Sequence, residues 1–334
     1  MQRFSKKMIF LAIVLILLLG GFIYQASASR RDIAKYPAPG QLVKTTYGDV
    51  HLNCQGEGDV TIILESGMGD SSLEWTEVQP AVAQFAKVCS YDRFGLGWSS
   101  PSKEALTATQ IADNLQQALA EAKVEGPYLL VGHSIGGVYI RAFAQQFPEQ
   151  VAGIVLIDSA HENQQSRLPA AVTKEDAAIK TIAKALRVMA PAGIPRALQL
   201  ADRMQGDDFP DDVRPAAMSR MYQTHFFTAL LNEVRSAEMS TTQDSPPAGL
   251  GRTPLIVLSQ GKDENPGLSD EQFAQLKQNW NEMQLELAAL SANSERIIAE
   301  KSGHYIHHDQ PELVIDAIRR VVETVQDEGL LLQR

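Results

Sequence analysis

The segment with the clearest capacity for chemistry is Gly132-His133-Ser134-Ile135-Gly136. A serine hydroxyl there would attack an acyl carbonyl, provided that a base removes its proton and N–H donors receive the oxyanion. A G-x-S-x-G run is short and weak by itself. Its setting gives it weight: the apolar run Tyr128 to Val131 leads in, and a helical pattern from about Ile135 to Gln146, ended by Pro148, leads out. Ser134 therefore falls at a strand-to-helix turn, where a nucleophile stands clear of both elements. So sharp a turn brings the residues around the serine together, and Gly132 and Gly136 leave out the Cβ atoms that would collide. The bland alternative is a glycine-rich turn with a capping serine.

The base must come from seven histidines. His133 lies inside the turn and points elsewhere, His51 belongs to an early hairpin, and His225 lies in a later insertion. His161 follows a strand end at the mouth of that insertion, placed to line a pocket. His304, preceded by Gly303, occupies the loop between the last strand and the last helix, on the same sheet edge as Ser134. It is the predicted base, with His307 and His308 as supporting or surface groups. The acid should fall between serine and histidine in the chain. Asp263, in the turn Gln260-Gly261-Lys262-Asp263 beyond the strand Leu255 to Ser259, is the predicted one. Glu264 and Asp158, the latter at the end of the preceding strand, are alternatives. The predicted oxyanion donors are the N–H of Ile135, at a helix start whose dipole favours negative charge, and that of Met68 in Ser66-Gly67-Met68-Gly69.

These positions require a particular frame. Strand patterns at Leu42 to Tyr47, Val50 to Gln55, Thr61 to Glu65, Lys87 to Tyr91, Tyr128 to Val131, Ile154 to Ile157, Leu255 to Ser259 and Arg296 to Ala299 alternate with helical ones. The helical patterns cover Trp75 to Ala86, Thr107 to Lys123, a stretch opened by Ser269-x-x-Gln272, and Pro311 to Asp327. Such alternation predicts a mostly parallel sheet with helices on both faces. Between Glu162 and Leu250 the alternation stops, and prolines at 169, 191, 195, 210 and 215 break a helical insertion.

Three stretches carry a resemblance to a known family: Tyr91-Asp92-Arg93-Phe94-Gly95-Leu96-Gly97-Trp98-Ser99, Val131 to Gly137, and Gly303 to Pro311. From about Val43 to Val325 the chain resembles the α/β-hydrolase superfamily, with the insertion as its cap. The resemblance implies an eight-stranded sheet in which the second strand pairs with the fourth. Cys54 and Cys89 would then be neighbours, joined in an oxidising compartment or left as buried thiols. One departure is that many members carry His-Gly where this chain has Ser66-Gly67. The implied organisation is 1–29 signal sequence or membrane anchor, 30–41 linker, 42–160 and 251–327 core, 161–250 cap and 328–334 tail.

Composition narrows the rest. The chain has 334 residues, 30 Lys plus Arg against 40 Asp plus Glu, a net charge of -10 and no long basic run, so nucleic acid is not an expected partner. Two cysteines are too few for a zinc site, and the expected chemistry needs neither metal nor cofactor. Arg3, Lys6 and Lys7 precede the apolar run Met8 to Tyr24, and Ala26-Ser27-Ala28 offers a cleavage pattern. The expected location is therefore membrane-anchored with the domain exported, or secreted or periplasmic after cleavage. The expected activity is hydrolysis of a carboxylic ester through an acyl-enzyme. Amidase, peptidase, thioesterase or acyltransferase chemistry would use the same triad, and a non-catalytic scaffold is the alternative of another class. In the insertion, Met189, Met204, Phe209, Met218, Met221, Phe226 and Phe227 would build the cap's own core and, beside it, a pocket for a small apolar acyl substrate.

Overall fold

The computed structural model describes residues 5–205, 209–241 and 249–329. An eight-stranded sheet forms its centre: β1 Gln41–Lys44, β2 Asp49–Gln55, β3 Thr61–Glu65, β4 Lys87–Tyr91, β5 Tyr128–His133, β6 Val151–Ile157, β7 Leu255–Gln260 and β8 Ser294–Ala299. The strand order is β1-β2-β4-β3-β5-β6-β7-β8. β1, β2 and β4 pair antiparallel, and the remaining pairs are parallel. β3, β5 and β6 are buried along their whole length, as continuous β-branched and leucine-rich runs must be when helices cover both faces.

Helix α1 covers Lys6–Lys35, α2 Ala108–Glu121, α3 Gly136–Gln146, α4 Ala170–Met189, α5 Phe226–Thr241, α6 Asp270–Ala288 and α7 Pro311–Asp327. Leu115 of α2, Ile140 and Phe143 of α3 and Leu287 of α6 pack on one face of the sheet; Trp75, Val78 and, from α7, Val314, Ile318 and Val321 pack on the other. Capping boxes start α2 at Thr107 and α6 at Ser269. Cys54 and Cys89 are opposite residues of β2 and β4 and form a disulfide.

Two elements differ from the sequence reading. The stretch expected as a helix from Trp75 to Ala86 is a 3-10 turn, Ser72–Trp75, followed by the short helix Gln79–Val82. Pro80 is tolerated only in a first turn, so it restarts the helix there. The expected linker from 30 is helical as far as Lys35, because no glycine or proline interrupts the chain before Pro37. The cap prolines stand where helices begin: Pro169 caps α4, while Pro195 and Pro215 occupy the first turns of Ile194–Ala197 and Arg214–Met221. Most of the tail expected from 328 lies outside the described residues.

Candidate active site

The C-terminal ends of the parallel strands deliver the site. Ser134 joins β5 to α3 with φ of +52°, a conformation that a side chain adopts only when its surroundings impose it. The imposition is visible. Its N–H donates to Ile157 O at 3.0 Å, and its carbonyl accepts from Ala160 N at 2.9 Å and Gly137 N at 3.1 Å. A Cβ on Gly132 would stand 2.8 Å from Gly137 Cα, and one on Gly136 2.6 Å from the carbonyl oxygens of Glu65 and Ser66.

His304 Nε2 lies 3.0 Å from Ser134 Oγ, and His304 Nδ1 lies 2.6 Å from Asp158 Oδ2. Asp158 directly follows β6 and is fully buried. Its other oxygen accepts from Gln260 N at 3.1 Å and from the Trp280 indole N–H at 2.9 Å. The carboxylate accepts a hydrogen bond from His304 Nδ1–H, and holding the proton on Nδ1 leaves the Nε2 lone pair facing the serine hydroxyl.

Asp263, the expected acid, is corrected by this arrangement. Its side chain is 63% exposed and pairs with Lys277 of α6 at 2.5 Å. The N–H groups of Gly261 and Lys262 both donate to Ser302 O, at 3.1 and 3.0 Å, which ties down the start of the loop beyond β7 while Asp263 turns outward. Glu264 is equally far from the role, 69% exposed with Lys262 at 4.0 Å. Among the alternatives, Asp158 is the one that meets His304.

The remaining expected residues fall as follows. Ile135 N-caps α3, and Met68 lines the same cavity of about 130 Å³ as Ser134 and Ile135. His51 is buried against Asp92 at 2.7 Å, and His161 is buried with Glu286 3.2 Å away. Neither is near the serine–histidine pair in its bonding.

The sequence model of the Alpha/beta hydrolase family matches residues 62–317. The chain belongs to the alpha/beta hydrolase family. An uncharacterised Bacillus subtilis protein, YqjL, is 28% identical over 267 residues, covering 79% of this chain and 84% of that one. A thermophilic esterase from Thermogutta terrifontis superposes with a TM-score of 0.58 at 19% identity, over 85% of this chain and 97% of its own. Epoxide hydrolase CorEH does so with a TM-score of 0.60 at 16% identity, over 85% and 98%. At such identities the likeness to the solved structures is one of fold.

In this hydrolase the loop after β3 is held by residues to which sequence reasoning gave no role. Ser66 Oγ, standing where many members have histidine, accepts the Trp75 indole N–H at 2.9 Å. Arg93 donates to Ser66 O at 2.8 Å and Gly67 O at 2.6 Å, and its guanidinium is held between Glu65, at 2.6 Å, and Glu233 of the cap helix α5. Burial pushes the Glu65 carboxyl up to about 7 in spite of Arg93. Arg93 lies in a stretch that the family resemblance had marked, but nothing in its spacing announces a clamp on a loop some 27 residues earlier.

Behind the same loop, Glu74 meets His133 Nδ1 at 2.7 Å and His307 Nε2 at 2.6 Å, while Glu74 Oε2 accepts from Gly67 N at 3.3 Å. Burial works to raise the Glu74 carboxyl, but His307 and His133 together hold it well below the usual range. Burial pushes His307 down to about 3. These contacts are closer than two ligands of one tetrahedral ion would stand, since such ligands lie about 2.0–2.2 Å from the metal. His133 Nε2 also faces the carbonyl of His304 at 3.1 Å, and burial pushes the His133 imidazole down in spite of Glu74.

The cap forms a second, larger cavity of about 430 Å³ over the site, lined by Met68, Leu186, Met204, Phe226, Phe227 and Leu230 among others. Met68 and Ile179 line both cavities. Phe226 and Phe227 also pack with Leu96 and Leu186, so the same residues serve the cap's core and the cavity wall.

Proposed function

We infer that this alpha/beta hydrolase is a serine hydrolase that cleaves a carboxylic ester through an acyl-enzyme. The observation that carries the reading is the chain of contacts from Asp158 through His304 to Ser134, at 2.6 and 3.0 Å. In this mechanism His304 Nε2 takes the Ser134 proton as Oγ attacks the carbonyl carbon. Asp158 keeps the imidazole in the needed tautomer and balances the imidazolium. The N–H groups of Met68 and Ile135 receive the oxyanion. The imidazolium then gives its proton to the leaving alcohol, and a water deprotonated by the same nitrogen releases the acid. No cofactor enters these steps.

Serine at 134 favours acyl chemistry over epoxide opening, which needs a carboxylate nucleophile. The apolar walls of the larger cavity favour an acyl or alcohol chain as the group bound. The Cys54–Cys89 disulfide is the kind of bond that an oxidising compartment preserves and supports a domain outside the cytoplasm.

The test is labelling by a fluorophosphonate probe, with Ser134→Ala as control. Labelling of the native chain and its loss in the variant are expected; a folded native chain that takes no label sinks the reading. A series of p-nitrophenyl esters of rising chain length then tests the cavity, and preference for acetate alone would count against it.

A further inference from the structure

Helix α1 is long and apolar enough to cross a membrane, and its two parts are differently surrounded. Phe10, Leu11, Leu15, Ile16 and Leu17 are exposed, whereas from Gly21 onward the helix is docked on the cap. A Cβ on Gly21 would stand 2.4 Å from Ala192 O, and one on Gly193 2.9 Å from the Tyr24 ring. Gln25 is buried, donates to Tyr222 O at 2.7 Å and accepts from Arg196 Nε at 3.1 Å. Arg196 also pairs with Asp32 at 2.6 Å, and the Trp98 indole N–H donates to Tyr36 O at 3.0 Å. Cleavage after Ala28 would remove Gln25 and leave the polar atoms around it without that partner.

Length fixes where this docking falls. Thirty helical residues reach about 45 Å at ~1.5 Å each, against a hydrocarbon layer of about 30 Å. The docked residues 21–35 make up half of that length, about 22 Å, so the free half alone falls short of the layer and the first docked turns complete the span. Because Gly21 lies inside the apolar run, the cap turn Ala190–Ala192 that it touches is brought to the hydrocarbon boundary.

The cap segment around that turn exposes apolar side chains, with the cations Lys184 and Arg187 between them. Among the described residues outside α1, five exposed large apolar side chains fall between positions 179 and 204: Ile179, Ile182, Val188, Leu198 and Met204. Ile179, Ile182 and Met204 also line the cavity of about 430 Å³, which shares Met68 and Ile179 with the cavity at Ser134. Exposed apolar side chains and cations on the segment that docks an apolar helix, three of those side chains also lining an apolar cavity, fit one partner, the bilayer.

We propose that α1 remains part of the folded domain and seats this face of the cap on the membrane, so that the cavity takes the long chain of an ester dissolved in the bilayer. The proposal rests on the serine-hydrolase reading.

The experiment uses the full chain extracted from membranes and reconstituted in phosphatidylcholine vesicles. It is assayed on p-nitrophenyl palmitate dissolved in the bilayer and on p-nitrophenyl acetate in water, beside the double variant Val188→Glu, Leu198→Glu. Neither residue lines the cavities described. Expected are an N-terminal peptide upstream of Ala26 in the extracted protein, and in the variant a loss of about tenfold on palmitate with acetate turnover within about twofold. An extracted chain beginning after Ala28, or a variant with an unchanged palmitate-to-acetate ratio, overturns the proposal while acetate turnover upholds the hydrolase. Absence of both acetate turnover and Ser134 labelling in the native chain overturns the hydrolase reading and the proposal together.

Discussion

Exchanging Asp158 for asparagine separates the two acids more sharply than any other change. Asp158 Oδ1 accepts from two fixed donors, the backbone N–H of Gln260 and the indole of Trp280, at 3.1 and 2.9 Å. An asparagine oxygen would keep those bonds, so its amide nitrogen must face His304 Nδ1, where Oδ2 now stands at 2.6 Å. An N–H donor there demands a lone pair on Nδ1 and drives the proton to Nε2, toward Ser134. That is the tautomer in which the histidine cannot act as base. Triads treated in this way lose about 10⁴ in kcat, or about 5.4 kcal/mol of barrier at 1.36 kcal/mol per decade. Asp263→Asn removes an exposed pair with Lys277, worth about 0–1 kcal/mol of stability, and should leave kcat within about twofold. The assay is steady-state hydrolysis of p-nitrophenyl butyrate, with thermal melts to verify folding. If Asp263→Asn falls as far as Asp158→Asn, or if Asp158→Asn keeps more than about a tenth of the activity, the reasoning from these contacts is refuted.

Arg93→Met should leave Glu65 and Glu233 buried without their cation and release the carbonyls of Ser66 and Gly67. Calorimetry should read a loss of about 3–5 kcal/mol, and an unchanged melting temperature would contradict the clamp. Gly137→Ala places a Cβ 1.9 Å from Ser159 Oγ, so α3 must shift from β6; a fall in kcat with a lower melting temperature is expected, and wild-type kinetics would count against this close approach. His307 titrates near 6.5 when unfolded and is pushed down to about 3 by burial in the fold. The folded chain thus binds that proton less readily, and the associated stability is complete above about pH 6.5 and drains as pH falls toward 3. Asp92 and Glu162 act in the same direction at lower pH: burial opposes ionisation of each, but His51 with the Ser72 and Trp98 N–H groups, and Arg141, hold them below the usual range. Glu65, pushed up to about 7 by burial, works against this between about pH 7 and 4.5, but burial also pushes His133, His161 and His225 down, so melting temperatures should still decline from about pH 6.5 to 4; a flat profile would disprove it.

The strands and their alternation with helices were legible because the parallel sheet is buried on both faces and writes itself as short runs of Val, Ile and Leu between turn residues. The disagreement over 75–86 came from a local rule, the restart that Pro80 imposes, which an apolar stripe hides. The loop after β3 was legible as a pair of glycines, but its support was not. Arg93, Glu74, Glu233 and Trp75 reach it from separate elements, and no spacing in the chain encodes a meeting of that kind.

The meeting of Ser134 and His304 was legible in the sequence because its requirements are local: glycines around a sharp turn, and a histidine in the loop after the last strand. The acid had no such local requirement. Asp158 and Asp263 each follow a parallel strand on the correct edge, and a linear reading favours Asp263. Tertiary structure separated them through burial and donors. Asp158 is enclosed at the strand end, with Gln260 and Trp280 to receive its second oxygen, while the N–H groups of Gly261 and Lys262 anchor the β7 loop to Ser302 and Asp263 turns out toward Lys277. A carboxylate can hold an imidazole in place only where its own charge is hydrogen-bonded and its position fixed, and those conditions exist in space before they can be read along the chain.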